Sequence, residues 1–110
     1  MFSVAMNGIL GSETAFALGY TYLVKPGEIT LEKLVELMCF NPSKILKLGR
    51  GGLEVGDDAD LACFNLDDEF VFDKNTMLSK SRNTPYDGWK LNGETVLTIM
   101  GGNVTYEKLC

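Results

Sequence analysis

Chemistry at neutral pH needs nucleophiles, acid–base groups or metal ligands held close together. The densest run of such groups in this sequence is VGDDAD, with Asp57, Asp58 and Asp60. Closely spaced carboxylates in a Gly-rich loop resemble the opening of a calcium loop, which must close on a bidentate glutamate. Counted from Asp57, the closing position holds Asp68 instead, so the run reads as a turn. Asp67, Asp68 and Glu69 read as a solvated acidic turn. Glu13 reads as a carboxylate facing a helix dipole rather than as a catalytic group. Cys39, Cys63 and Cys110 are odd in number and widely spaced, with no C-x-x-C pair. They read as reduced thiols, Cys39 and Cys63 as small apolar core residues and Cys110 as exposed. The chain has no histidine. It therefore cannot supply a histidine-ligated metal site or a histidine-based triad, and no catalytic or metal-binding residue is assigned to it.

One further stretch gathers unusual side chains. Ser81 to Trp89, SRNTPYDGW, holds a basic residue, an amide, a proline, an aromatic, an acid and the single tryptophan, in neither helical nor strand periodicity. Asn-Thr-Pro and Asp-Gly are turn signals, but Pro85, Tyr86 and Trp89 carry enough apolar area to need a surface to pack on. Arg82 has no evident partner in the sequence. It pairs with an acid beyond this chain or covers its own loop.

The elements that would position these groups fall into two halves. Over Ser12 to Val24, Ala15, Phe16, Gly19, Tyr20 and Leu23 share one helical face, and Lys25-Pro26-Gly27 ends the run. Thr30 is an N-cap for a helix carrying Leu31, Leu34, Val35 and Met38 at i, i+3, i+4 and i+7. Asn41-Pro42 reads as a new cap and first position, opening a short helix through Ile45 and Leu46 that Gly49 ends. Leu34, Val35, Met38, Ile45 and Leu46 are the expected buried positions. After GRGGLEVGDDAD come strand-like runs LACFNL, EFVF, VLTIM and NVTYE, with turns at Asn92-Gly93 and Gly101-Gly102.

At 110 residues the chain has room for one domain at most, and 45% hydrophobic residues is a globular composition. Its net charge of -5, with no basic cluster, argues against a nucleic-acid partner. No run approaches the roughly 18 apolar residues of a membrane span, and the N-terminus lacks the features of a signal peptide. A cytoplasmic location without membrane association is expected. Helices first and strands afterwards is an awkward order for an independent domain and suits the tail of something larger.

Three pieces carry a family resemblance: NGILGSETAFALGYTYLVKPGEITLEKLVELMCFNPSKIL, GLEVGDDADLACFN and SKSRNTPYDGWKLNGETVLTIMGGNVTYE. Together they resemble the C-terminal part of dihydroorotases, in the amidohydrolase superfamily. The loop SRNTPYDGW is the sharpest of the motifs, GILGSETAF next, and VGDDADL the least specific. The resemblance implies an α+β fragment. Residues 1–49 would be the last helices of a TIM-like (β/α) barrel with the remnant of a substrate loop, and 50–110 the antiparallel strands of a composite β-sandwich.

It also implies a parent enzyme that interconverts N-carbamoyl-L-aspartate and L-dihydroorotate in pyrimidine biosynthesis. That reaction needs an activated hydroxide, a polarised carbonyl and an acid–base group, supplied in the family by zinc on upstream barrel strands. A barrel of that kind needs roughly 250 residues, so this chain alone is expected to bind no zinc and to be inactive. The one site the resemblance implies within this chain is substrate binding by main-chain groups at Asn7 and Gly8. A glycine there lets a backbone approach a ligand closely; read without the resemblance, Gly8 and Gly11 are loop and helix-entry glycines. Where many members have Ala-Pro-Phe-Gly this chain has Ala5-Met6-Asn7-Gly8, which frees one φ angle. The missing N-terminal part of the same protein is an expected partner, and a homodimer a further one. Two alternatives stay open: an allantoinase or hydantoinase relative, and a noncatalytic dihydroorotase-like partner of aspartate transcarbamoylase.

Overall fold

The computed structural model describes residues 2–108, with helices in the first half and antiparallel strands in the second. Met1, Leu109 and Cys110 lie outside the described residues, and with them the expectation for Cys110. After a 3-10 turn at Phe2–Val4, helix α1 (Ala15–Gly19) widens without interruption into a π turn, Tyr20–Val24. The chain stops at Lys25-Pro26-Gly27, as the breakers there require. Helix α2 (Leu31–Val35) begins at Thr30, whose extended backbone and hydroxyl oxygen, accepting the Lys33 N–H at 3.1 Å, make it the expected N-cap.

Asn41 does not open a new helix. Its backbone is helical, and α2 runs through a π turn, Glu36–Phe40, into α3 (Asn41–Ile45). Pro42 has no N–H to close an i→i−4 bond, and the turn before it is widened, with the Asn41 N–H bonded to the Glu36 carbonyl. The stop signal also differs from the expected Gly49. Lys47 takes the left-handed conformation at φ 54°. The Leu48 N–H bonds the Ser43 carbonyl at 3.0 Å and the Lys47 N–H the Lys44 carbonyl at 3.2 Å, which together form a Schellman cap.

The strands are β1 (Leu61–Asn65), β2 (Phe70–Val71), β3 (Lys90–Leu91), β4 (Glu94–Met100) and β5 (Asn103–Glu107). One antiparallel sheet has the order β1-β4-β5, and β2 pairs with β3 in a second. The Gly101-Gly102 hairpin forms as expected, Met100 opposite Asn103 and both glycines at positive φ. Asp60 ties it down: one carboxylate oxygen accepts the Gly101 N–H at 2.8 Å, the other the Arg50 guanidinium at 2.6 Å.

The buried core lies where α1 meets β2, β3 and the segments around Met77 and Tyr86. Ala17, Phe72, Met77 and Leu91 form its centre, with Leu10, Leu18, Phe70 and Tyr86 packed around them. Leu34 packs separately into the notch left by Gly19, where a Cβ would come within 2.7 Å of its Cδ1. Of the expected buried positions, Leu34 is buried and Val35 half-buried, but Met38, Ile45 and Leu46 are exposed, as are Cys39 and Cys63. Helical spacing identifies a face that wants cover; it does not say that this chain supplies the cover. The total accessible surface is 8289 Å², against roughly 6,000 Å² for a compact monomer of this mass. The radius of gyration is 15.6 Å, against roughly 13 Å for a compact chain of this length.

Candidate functional site

The segment from Asn7 to Thr14 enters α1 as an exposed strap. Gly8 stands at φ 74°, where an L side chain is strained, and it is solvent-exposed with Asn7. The strap is fastened from the far end of the sequence. The Asn83 side-chain amide donates to the Gly8 carbonyl at 2.5 Å, and the Asn83 carbonyl accepts the Leu10 N–H at 2.9 Å. The Leu10 side chain packs against the core. At the other end of the strap, the Glu13 carboxylate accepts the N–H groups of Leu78 at 3.1 Å and Ser79 at 3.4 Å. Glu13 thus acts across the fold on a neighbouring loop, a role beyond its place just before the N-cap of α1. The strap and the 78–83 segment run antiparallel, Gly8 beside Asn83 and Glu13 beside Leu78.

The Ser81–Trp89 loop is held together by bonds of its own. Ser81 Oγ accepts the Asn83 N–H at 3.2 Å and Thr84 Oγ1 the Tyr86 N–H at 3.2 Å. The Arg82 guanidinium donates to the carbonyls of Ser79 and Ser81 and so covers its own loop within this chain, while its exposure leaves it open to an acid beyond the chain. Tyr86 and Trp89 meet edge to face at 5.0 Å, and Trp89 meets Tyr22 of the first helix in the same way at 5.6 Å. Part of the expected surface for these aromatics is therefore the π turn that continues α1, although Trp89 and Leu23 remain exposed.

Among the described residues, no three side chains of His, Cys, Asp or Glu stand close enough to hold a metal ion. The aspartates of the VGDDAD loop are engaged elsewhere: Asp57 accepts the Glu54 N–H at 2.9 Å, and Asp58 and Asp60 face Arg50. These donors do not fit a zinc site. An open hollow of about 610 Å³ lies along α3, lined by Phe40, Lys44, Lys47 and Arg50 among others; it belongs to the bare helical face and does not include Asn7 or Gly8. No helix among the described residues is long and apolar enough to cross a membrane.

The amidohydrolase family model matches residues 1–105, and the chain belongs to that family. Within it, the chain is similar to dihydroorotases. That of Acetivibrio thermocellus is 52% identical over 103 residues, covering 94% of this chain and 24% of that protein. That of Ruminiclostridium cellulolyticum is 47% identical over 107 residues, covering 97% of this chain and 25% of that protein. Among solved structures, the L-hydantoinase (dihydropyrimidinase) of Arthrobacter aurescens superposes with a TM-score of 0.86 at 40% identity, over 94% of this chain and 24% of that one. A D-hydantoinase superposes equally well, TM-score 0.86, at 28% identity, over 97% of this chain and 24% of that one. The chain spans about a quarter of the length of the relatives it matches.

The pairing of Asn83 with Gly8 was not legible in the sequence, because the two stand 75 residues apart. The nearest signal was the unusual polar content of the SRNTPYDGW loop.

Proposed function

We propose that this chain is the C-terminal part of a dihydroorotase that interconverts N-carbamoyl-L-aspartate and L-dihydroorotate in pyrimidine biosynthesis. The observation that carries the reading is the 52% identity to a dihydroorotase across 94% of the chain, above the 40% identity to the hydantoinase over the same share. The large exposed surface supports it, because residues bare here would be covered by the rest of a longer polypeptide. In this reading residues 1–49 complete a barrel and 50–110 a sandwich. Zinc is held by residues outside this chain, whose own donors do not fit it. The contribution of this chain is the Asn7–Gly8 main chain, which contacts the substrate from the strap, and the loop that holds the strap in place.

The test is turnover of dihydroorotate by the full-length polypeptide that carries this sequence, purified with zinc, beside the 110-residue chain alone. Activity in the first and none in the second is expected. Preference for a hydantoin would favour the hydantoinase alternative, for which the structural likeness to the Arthrobacter enzyme is the ground. A full-length protein that turns over neither substrate but binds aspartate transcarbamoylase would make it a noncatalytic partner. Turnover by the 110 residues alone would overturn the assignment of the chemistry to residues outside this chain.

A further inference from the structure

We infer that Asn83 is a positioning residue for substrate binding, acting through the Gly8 carbonyl. The inference rests on the proposed contact of Asn7 and Gly8 with the substrate. Gly8 is exposed, carries no Cβ and holds a positive φ, so by itself it is a loosely determined part of the main chain. Two bonds from one residue act on this stretch: the Asn83 amide on the Gly8 carbonyl and the Asn83 carbonyl on the Leu10 N–H. Between them they fix the peptide planes on either side of Ile9.

Asn83 is itself held from behind. Its own N–H is bonded to Ser81 Oγ, the Arg82 guanidinium caps the carbonyls of Ser79 and Ser81, and Glu13 grips Leu78 and Ser79. An anchored donor aimed at the carbonyl of an exposed, flexible glycine sets where the adjoining main-chain groups point. Losing a contact made equally in the ground state and the transition state raises KM and leaves kcat unchanged. Asn83 touches no reacting atom, so its effect should appear in KM and not in kcat.

The experiment compares wild type, Asn83→Ala and Asn83→Asp in the full-length polypeptide, with steady-state kinetics on dihydroorotate and amide hydrogen exchange without substrate. Asp keeps the shape, removes the donor and sets a carboxylate against the Gly8 carbonyl, whereas Ala removes donor and packing without adding charge, so a loss shared by both variants reports the hydrogen bond. One lost hydrogen bond of this kind corresponds to roughly threefold to tenfold in an equilibrium. Both variants should raise KM by about that factor, change kcat less than twofold, and speed exchange across residues 8–10. A fall in melting temperature with KM and exchange unchanged would overturn the inference and leave Asn83 a stabilising residue only. If the wild type does not turn over dihydroorotate, the functional reading fails by itself. Exchange at residues 8–10 then decides the clamp: unchanged exchange in both variants overturns it.

Discussion

The seam between α1 and the strands and the outward face of α3 draw on the same apolar residue types, yet they end in opposite states. At the seam, Leu91 has 0% of its surface exposed and Phe16 stacks on Phe64 with ring centroids 3.7 Å apart. Asn92, 5% exposed, uses every polar group it has. Its N–H donates to Thr21 Oγ1, its carbonyl accepts the Thr21 hydroxyl, its side-chain oxygen accepts the Lys25 ammonium, and its amide donates to the carbonyls of Leu66 and Asp67. On α3 and the loop after it, Ile45 is 77% exposed and Leu46 66%, and Leu48, Leu53 and Val55 are bare as well. The lesson concerns what amphipathicity means. A helical stripe of leucines and isoleucines states a demand for cover, and the demand is met inside the chain in one region and left open in the other.

Cutting one leucine from the seam and one isoleucine from the open face would separate the two regions most sharply. Leu91→Ala removes a fully buried side chain and should cost about 2–5 kcal/mol, because the cavity adds to the lost transfer energy. Ile45→Ala should change stability of the isolated chain by less than about 0.5 kcal/mol. Urea unfolding of both variants checks the contrast, and equal losses would break it. In the full-length polypeptide Ile45→Ala should become costly, since its cover then arrives. The same face should bind a hydrophobic dye in the isolated chain, and the double variant Ile45→Lys with Leu46→Lys should reduce that fluorescence.

The seam can next be tested at its polar centre. Asn92→Ala leaves the Leu66 and Asp67 carbonyls without their donor and Lys25 without the oxygen it meets at 2.8 Å. Leaving a fully buried group unsatisfied costs about 1–3 kcal/mol, and because these groups are only partly buried the loss should fall toward the low end. The expected loss is smaller than for Leu91→Ala, because water can reach the Lys25 end of the network. A thermal melt of Asn92→Ala indistinguishable from wild type would show that the seam is held by its apolar contacts alone.

The parts legible in the sequence were those governed by neighbours. Thr30 capped its helix because the N–H it serves is three residues away, and the Gly101-Gly102 hairpin formed because both turn positions need positive φ. The Gly49 stop failed through a local competition. Lys47 took the left-handed position, and the Ser43 hydroxyl, bonded to both the N–H and the carbonyl of Arg50, fixes the chain after the cap. The short strand β3, the burial of Ala17 and the Asn83–Gly8 bond depend on segments far apart in the chain, and no local period encodes them. Cys39 and Cys63 were misjudged for the reason Ile45 was: their residue type favours burial, but the surface that would bury them is not provided by the described residues. The strap could be chosen as a site only through family resemblance, since exposed main chain at Asn7 and Gly8 leaves no compositional trace.

The smallest expected effect lies on the open face, where electrostatics should contribute little. Glu36 meets Lys33 at 3.0 Å, and both side chains are about half exposed. The hydrogen bond from Lys33, then its charge, holds the Glu36 carboxyl below its ordinary value of 4.5. A carboxyl depressed by folding stabilises the folded state above its unfolded pKa, and that contribution is lost as pH falls through the lower folded value. The pair should therefore support α2 at neutral pH and fade below about pH 4.5, and salt should weaken it at any pH, since the charges face solvent. Melting of wild type and Glu36→Gln across pH 3 to 7 at low salt would follow this. The two should differ slightly at neutral pH and converge at the acid end. A difference that grew toward acid pH would mean that Glu36 is stabilised by protonation, and that this face has a partner for the neutral carboxyl which the Lys33 geometry does not include.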